Sequence, residues 1–278
     1  MSIALGLASA VWAALRLGSG WNLVWQLPLI FLAAVAAFFA AYLAVVGTIS
    51  LCVSMKKRYT APDSFFYSLL CVSYEYLWCL CGVRLHTEEL PPMPEGRFLV
   101  VANHCSAFDH MLICRAIARE KLAFITKPEN MKIPIGRRLA WRSCYIPIDR
   151  EDPRKALASI NEAAELIRSG AASVGVFPEG TRSETGELGE MKNGSFKIAQ
   201  KAGCAIVVAV LRGTDAIHRN MFRRRTDVYL SVPQVITQEE ISGRRTAEIS
   251  GRVREIMENA LHGGSPAGGK EKEIVSGR

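Results

Sequence analysis

Apolar positions are unevenly spread along this chain, and the unevenness divides it into parts. From Leu17 to Met55 no residue is charged, and Leu27 to Val53 is dense in Leu, Ala, Val and Phe. About 20 helical residues cross a hydrocarbon core, so the run predicts a membrane-spanning helix with length to spare for tilt. Trp21 and Trp25 at one end suit a membrane interface. Lys56, Lys57 and Arg58 at the other end put that end in the cytoplasm by the positive-inside rule. A secretory signal peptide is the competing reading. It needs a basic leading region and a short apolar core, whereas the first charge here is Arg16 and the apolar run is long.

A second greasy segment, Ser64 to Val83, follows Asp63. Its one acid is Glu75, and Phe65, Phe66, Tyr67, Tyr74, Tyr76 and Trp78 make it aromatic. Ser64, Ser68, Cys71, Glu75 and Cys79 fall on one stripe at helical spacing, and the rest of the surface is apolar. Two readings fit: a helix buried in a core, or a helix lying in the membrane interface. Its position directly after an anchor favours the interface.

From about residue 97 the period alternates between strand and helix. Phe98 to Ala102, Leu122 to Thr126, Tyr145 to Asp149, Ser173 to Phe177, Ala205 to Leu211 and Asp227 to Val232 read as strands. Ala107 to Arg119, Ser195 to Ala202 and Thr246 to Leu261 read as helices. Another helix begins at Pro153, with Asp152 as N-cap, and ends at Gly170. Ala156, Leu157, Ile160, Ala163, Ala164 and Ile167 form its apolar face. The alternation predicts an α/β fold, a central mixed sheet flanked by helices, with N-terminal membrane helices before it. Three parts are expected: an anchor over residues 1–62, a folded domain over 63–262 with its interfacial helix at 63–83, and a disordered Gly- and Lys-rich tail over 263–278.

Composition narrows the class. The 278 residues are 50% hydrophobic and 22% charged, too polar overall for a polytopic transporter. The net charge of +8 suits nucleic acid, an anionic membrane surface, or an acidic substrate or carrier. The run Arg223-Arg224-Arg225 suggests nucleic acid, but no aromatic–basic interleaving or recognised module accompanies it. Eight cysteines are scattered without C-x2-C pairs and read as reduced, small apolar side chains. No metal site follows from them.

The chemistry gathers at two strand ends. In Asn103-His104-Cys105-Ser106-Ala107-Phe108-Asp109, His104 and Asp109 are five residues apart. On one helix they would point about 140° apart, so they meet only if His104 precedes the helix and Asp109 lies in its first turn. Ser106 is a natural N-cap for that arrangement. The carboxylate then holds one ring nitrogen and leaves the other as a base, the base–orienter half of a triad. No G-x-S-x-G nucleophile is present. Cys105 is adjacent, but loop neighbours point apart; a substrate hydroxyl is the simpler nucleophile. The second strand end, Phe177-Pro178-Glu179-Gly180-Thr181-Arg182-Ser183, offers backbone N–H groups, hydroxyls and a guanidinium, a set suited to a phosphate.

Asn-His-x4-Asp, then Ile146-Pro147-Ile148-Asp149-Arg150, then Phe-Pro-Glu-Gly-Thr-Arg-Ser, in that order, resemble the 1-acyl-glycerol-3-phosphate acyltransferase family, the PlsC-like lysophosphatidic acid acyltransferases. Lys127 and Ile133-Pro134-Ile135-Gly136 resemble its intervening Lys and Pro-x-Gly loop. The likeness spans roughly Arg97 to Gly213. It departs at Ala205 to Gly213, which lacks the family's prolines, and at Cys105, where a polar residue is usual. The resemblance implies a glycerolipid acyltransferase fold and transfer of a fatty acyl group from acyl-CoA or acyl carrier protein to the 2-hydroxyl of lysophosphatidic acid, giving phosphatidic acid for phospholipid synthesis. It implies no metal and no bound cofactor. His104 would be the general base and Asp109 its orienter; Arg182 and Lys127 would hold the acceptor phosphate, with Glu179, Gly180, Thr181 and Arg150 shaping that site. The implied partners are the bilayer, the lyso-lipid and the acyl carrier, with no nucleic acid, and the implied location is the cell membrane with a cytoplasmic catalytic domain.

Overall fold

A computed structural model describes residues 21–117, 121–183, 186–221, 223–262 and 272–274. The chain divides into two units, Met1–Ser54 and Met55–Arg278. In the first, helix α1 (Trp21–Ser50) carries no acid in its first turn and no base in its last. Its stretch Gln26–Ser50 is long and apolar enough to cross a membrane, with a mean hydropathy of 2.7. At about 1.5 Å per residue it exceeds a bilayer's hydrocarbon thickness of roughly 30 Å. Arg16 and the side chains of Trp21 and Trp25 lie outside the described residues.

The second unit begins upstream of residue 62, because residues 55–63 are stitched to helix α4 (Gly136–Arg142). The Trp141 indole donates to the Lys57 carbonyl at 2.8 Å. The Arg142 guanidinium donates to the Ala61 carbonyl and pairs with Asp63, each at 3.0 Å. Asp63 in turn caps helix α2 (Ser64–Leu80), accepting from the N–H groups of Phe65 and Phe66. One face of α2 buries Tyr67, Leu70 and Trp78. The other leaves Phe65 and Leu80 exposed. The reading as a helix packed into the core therefore holds for one face of it.

The remaining elements follow in order: β1 (Val83–Thr87), β2 (Leu99–Ala102), α3 (Asp109–Ala116), β3 (Leu122–Thr126), then α4, β4 (Ile146–Pro147), α5 (Pro153–Arg168) and β5 (Ser173–Val176). After β5 come α6 (Lys197–Ala202), β6 (Ile206–Arg212), α7 (Ala216–Asn220), β7 (Thr226–Ile236), α8 (Gln238–Ile241), α9 (Thr246–His262) and β8 (Lys272–Ile274). The sheet order is β4-β3-β5-β2-β6-β7-β1-β8. Strands β4, β3, β5, β2 and β6 pair in parallel, β7 runs antiparallel to β6, and β1 is parallel to β7. This is the mixed sheet expected. Every residue of β2 and β5 is buried, as strands covered on both faces require.

Several local expectations change. The helix expected over Ala107–Arg119 is Asp109–Ala116, with Phe108 rather than Ser106 at its N-cap position and no side-chain cap; Arg119 lies outside the described residues. The Ser106 hydroxyl instead accepts from the Phe108 N–H at 3.4 Å. The strand expected over Tyr145–Asp149 shrinks to Ile146–Pro147, since Pro147 has no N–H to donate. On α5, Asp152 caps as expected, but Leu157 is 45% exposed and Leu166 is buried in its stead. In the tail, Lys272–Ile274 pairs antiparallel with β1; the tail's other residues lie outside the described ones.

Candidate active site

The parallel strands decide where the chemistry stands. The segments that follow β2, β3, β4 and β5 all leave the same, carboxyl edge of the sheet, where open α/β sheets place their ligand crevices. His104 follows β2, Lys127 follows β3, Arg150 follows β4, and Glu179 to Arg182 follow β5.

The loop after β2 is wound around one carboxylate. Asp109, with no exposed side-chain surface, accepts through Oδ2 from His104 Nδ1 at 2.8 Å and from the N–H groups of Cys105 and Ser106 at 2.7 Å each. Three donors on one oxygen explain why the helix starts at Asp109. They also fix the ring: Nδ1 is committed to the carboxylate, and the His104 side chain stays 19% exposed. Asp109 Oδ1 is buried without a hydrogen-bond partner among the described residues.

The ring is held flat as well. His104 stacks on Phe177 with centroids 4.1 Å apart, and Phe177 lies against Phe124 at 5.7 Å. Gly175 makes that stack possible, because a Cβ there would meet the Phe124 ring at 2.3 Å.

The two motifs are lashed together by hydrogen bonds. Buried Glu179 accepts from the His104 N–H at 2.8 Å and from the Gly189 N–H at 2.7 Å. The Ser183 N–H donates to the His104 carbonyl at 2.7 Å. Gly180 turns at φ +77, and a Cβ there would meet Arg150 Nη1 at 2.7 Å, so glycine alone lets that guanidinium reach the Gly180 carbonyl. Thr181, Arg182 and Lys127 are exposed on the same edge. Among the described residues, no hydrogen bond or ion pair joins their side chains to the rest of the site.

Sequence reasoning missed four supports. The Asn103 amide exchanges two hydrogen bonds with the backbone of Leu211 on β6, at 2.9 and 2.8 Å, holding the His104 loop to its neighbouring strand. Arg254 on α9 donates to the carbonyls of Gly189 at 2.9 Å and Leu188 at 3.3 Å while pairing with Glu258 at 2.7 Å. It thereby fixes the loop that grips Glu179. His110 lies among Tyr74, Phe124 and Tyr145, and burial pushes its imidazole down to about 4. Phe177 was legible only as part of a motif. The Cys105 thiol is pushed up to about 12, first by burial and then by the carboxylates of Asp109 and Glu179. A thiol that stays protonated is a poor nucleophile. Among the described residues no cluster of three His, Cys, Asp or Glu side chains is placed to hold a metal ion.

This His–Asp loop and Glu-Gly-Thr-Arg turn sit within residues 82–212, which match the family described as Acyltransferase. The chain is 33% identical over 150 residues to the chloroplastic 1-acyl-sn-glycerol-3-phosphate acyltransferase LPAT1 of Arabidopsis thaliana, covering 51% of this chain and 40% of that one. It is 30% identical over 166 residues to the probable 1-acyl-sn-glycerol-3-phosphate acyltransferase of Mycoplasma pneumoniae, covering 58% and 57%. The crystal structure of the 1-acyl-sn-glycerophosphate (LPA) acyltransferase PlsC from Thermotoga maritima superposes with a TM-score of 0.58 at 25% identity, over 81% of this chain and 91% of that one. Residues 82–212 thus form a domain like those of the 1-acyl-sn-glycerol-3-phosphate acyltransferases. The matched stretches span less than two thirds of the first two relatives' own length. Helix α9, which carries Arg254 and Glu258, lies beyond the stretch that the Acyltransferase family matches.

Proposed function

We propose that this protein moves a fatty acyl group from a thioester, on coenzyme A or acyl carrier protein, to the sn-2 hydroxyl of 1-acylglycerol-3-phosphate, giving phosphatidic acid. One observation carries the reading: the ring nitrogen of His104 nearer the chain is bound by Asp109 at 2.8 Å, which leaves Nε2 as the base of a partly exposed imidazole.

His104 Nε2 takes the proton of the acceptor hydroxyl as its oxygen attacks the thioester carbonyl carbon. The C–S bond then breaks, and the imidazolium returns the proton to the departing sulfur. Asp109 holds the tautomer and stabilises the imidazolium. Thr181, Arg182 and Lys127 receive the acceptor phosphate, the guanidinium as a bidentate partner, while Glu179, Gly180 and Arg150 shape the turn. The reaction balances with no metal and no bound cofactor, since the thioester supplies the driving force.

A lipid acceptor and a diacyl product suit an enzyme kept at a bilayer. We therefore read Gln26–Ser50 as an anchor and the exposed apolar face of α2 as interfacial, with the catalytic unit on the cytoplasmic side of the cell membrane. Mass spectrometry of products tests the reading, with a panel of lyso-lipids offered alongside acyl-CoA or acyl carrier protein. Phosphatidic acid should dominate. Acylation of a different lyso-lipid in preference would reassign the acceptor.

A further inference from the structure

Two unlike surfaces flank the loop that carries His104. Toward β5, β3 and β4 stand Arg182, Lys127 and Arg150, a basic set. Toward β6 lies a cleft of about 450 Å³ whose walls include Cys105, Leu211, Arg212, Asp215, Glu258 and Leu261. Its volume falls within the roughly 300–1,000 Å³ of small-molecule sites. It is anchored to the active-site loop: the Asn103 amide that grips Leu211 also reaches Cys105 Sγ at 3.7 Å. Since β6 runs parallel to β2, the segment Arg212 to Asp215 leaves the sheet on the same edge as His104.

The lining indicates what could lie there. It carries the guanidiniums of Arg212 and Arg254 against the carboxylates of Glu187, Asp215 and Glu258, so it does not favour phosphate. Leu188, Leu211 and Leu261 lie among these charged groups, whereas a fatty chain would call for an unbroken apolar wall. A slender, uncharged chain of amides and methylenes matches such a mixture, because its N–H and C=O groups find partners without burying charge.

We propose, on the acyl-transfer reading above, that this cleft receives the pantetheine arm of the thioester donor, the part that coenzyme A and acyl carrier protein share. The donor then approaches His104 from the β6 side and the acceptor phosphate from the β5 side. When the C–S bond breaks, sulfur departs toward Cys105 with the proton from His104. Helix α9 becomes a wall of the donor site.

Leu261→Trp, placed at the half-buried end of α9, tests this by narrowing the cleft. Steady-state kinetics on the full-length protein would use palmitoyl-CoA, palmitoyl carrier protein and palmitoyl-pantetheine as donors. The KM for all three should rise about tenfold or more, with the lysophosphatidic acid KM within twofold of wild type. A raised acceptor KM with unchanged donor KM would overturn the assignment. So would a rise confined to palmitoyl-CoA, or a change in chain-length preference alone. Should the variant fail to fold, hydrogen exchange on the wild type gives the second reading. Pantetheine alone should protect the amides of 211–215 and 258–262, and no protection there sinks the proposal. A wild type that transfers no acyl group from any thioester to any lyso-lipid would instead sink the proposed function itself.

Discussion

The main-chain N–H of His104 donates to Glu179 Oε1 at 2.8 Å, so the base is fixed through its backbone by one motif and through its ring by the other. The other oxygen of Glu179 serves the Gly189 N–H. Glu179→Gln keeps the shape but turns an amide NH₂ toward one of those donors. Hydrogen bonds to a charged partner contribute about 1.5–3 kcal/mol. We predict a loss in kcat of about 10- to 100-fold, with both KM values near wild type. Initial-rate kinetics check this; an unchanged kcat would show that the His104 loop holds itself.

Arg254 supports the same grip from farther away. Arg254→Ala should lower kcat about tenfold, and Arg254→Lys should restore little, because a single ammonium cannot reproduce the forked contacts to Leu188, Gly189 and Glu258. Full activity in Arg254→Lys would contradict this.

The basic edge should act on the acceptor. Arg182→Ala and Lys127→Ala each remove a charge-assisted contact to phosphate, so the acceptor KM should rise about 10- to 100-fold while the donor KM stays put. A rise in donor KM alone would move the phosphate in question to coenzyme A.

His110 makes stability depend on pH. Its folded imidazole titrates near 4, below its ordinary 6.5, because burial disfavours the charged form. The unfolded chain therefore binds the proton first, and stability present above 6.5 is lost as pH falls toward 4. The loss is on the order of 2 kcal/mol once partial exposure is allowed for. Thermal melts at pH 7 and pH 4.5 should show a larger drop in wild type than in His110→Phe; equal drops would contradict it.

The sequence made legible what is local. Five-residue spacing separated His104 from Asp109 correctly, because one loop and one helix start decide that geometry. The β–α alternation likewise revealed the sheet, since buried parallel strands are continuously apolar. Contacts between distant segments left no periodic trace: Asn103 with Leu211, Arg254 with Gly189, and Glu179 with the His104 N–H. Strand β1 was missed because it starts just after α2 and has only two apolar residues, Val83 and Leu85, between polar ones. Helix α4 was hidden by its start: Ile135 has φ 62, ψ −63, and the Gly136 N–H closes a tight turn onto the Pro134 carbonyl at 2.6 Å, a backbone that a β-branched residue rarely adopts.

The central claim is that His104, oriented by Asp109, removes the acceptor proton. The most direct test is acyl transfer from palmitoyl-CoA to lysophosphatidic acid by His104→Ala and Asp109→Asn, with each variant's fold checked by circular dichroism. Loss of a general base costs roughly 10²- to 10⁴-fold in rate, so both variants should form phosphatidic acid at least about a hundredfold more slowly, with His104→Ala melting like wild type and Asp109→Asn still folded. A folded His104→Ala protein that still makes phosphatidic acid at the wild-type rate would contradict the account.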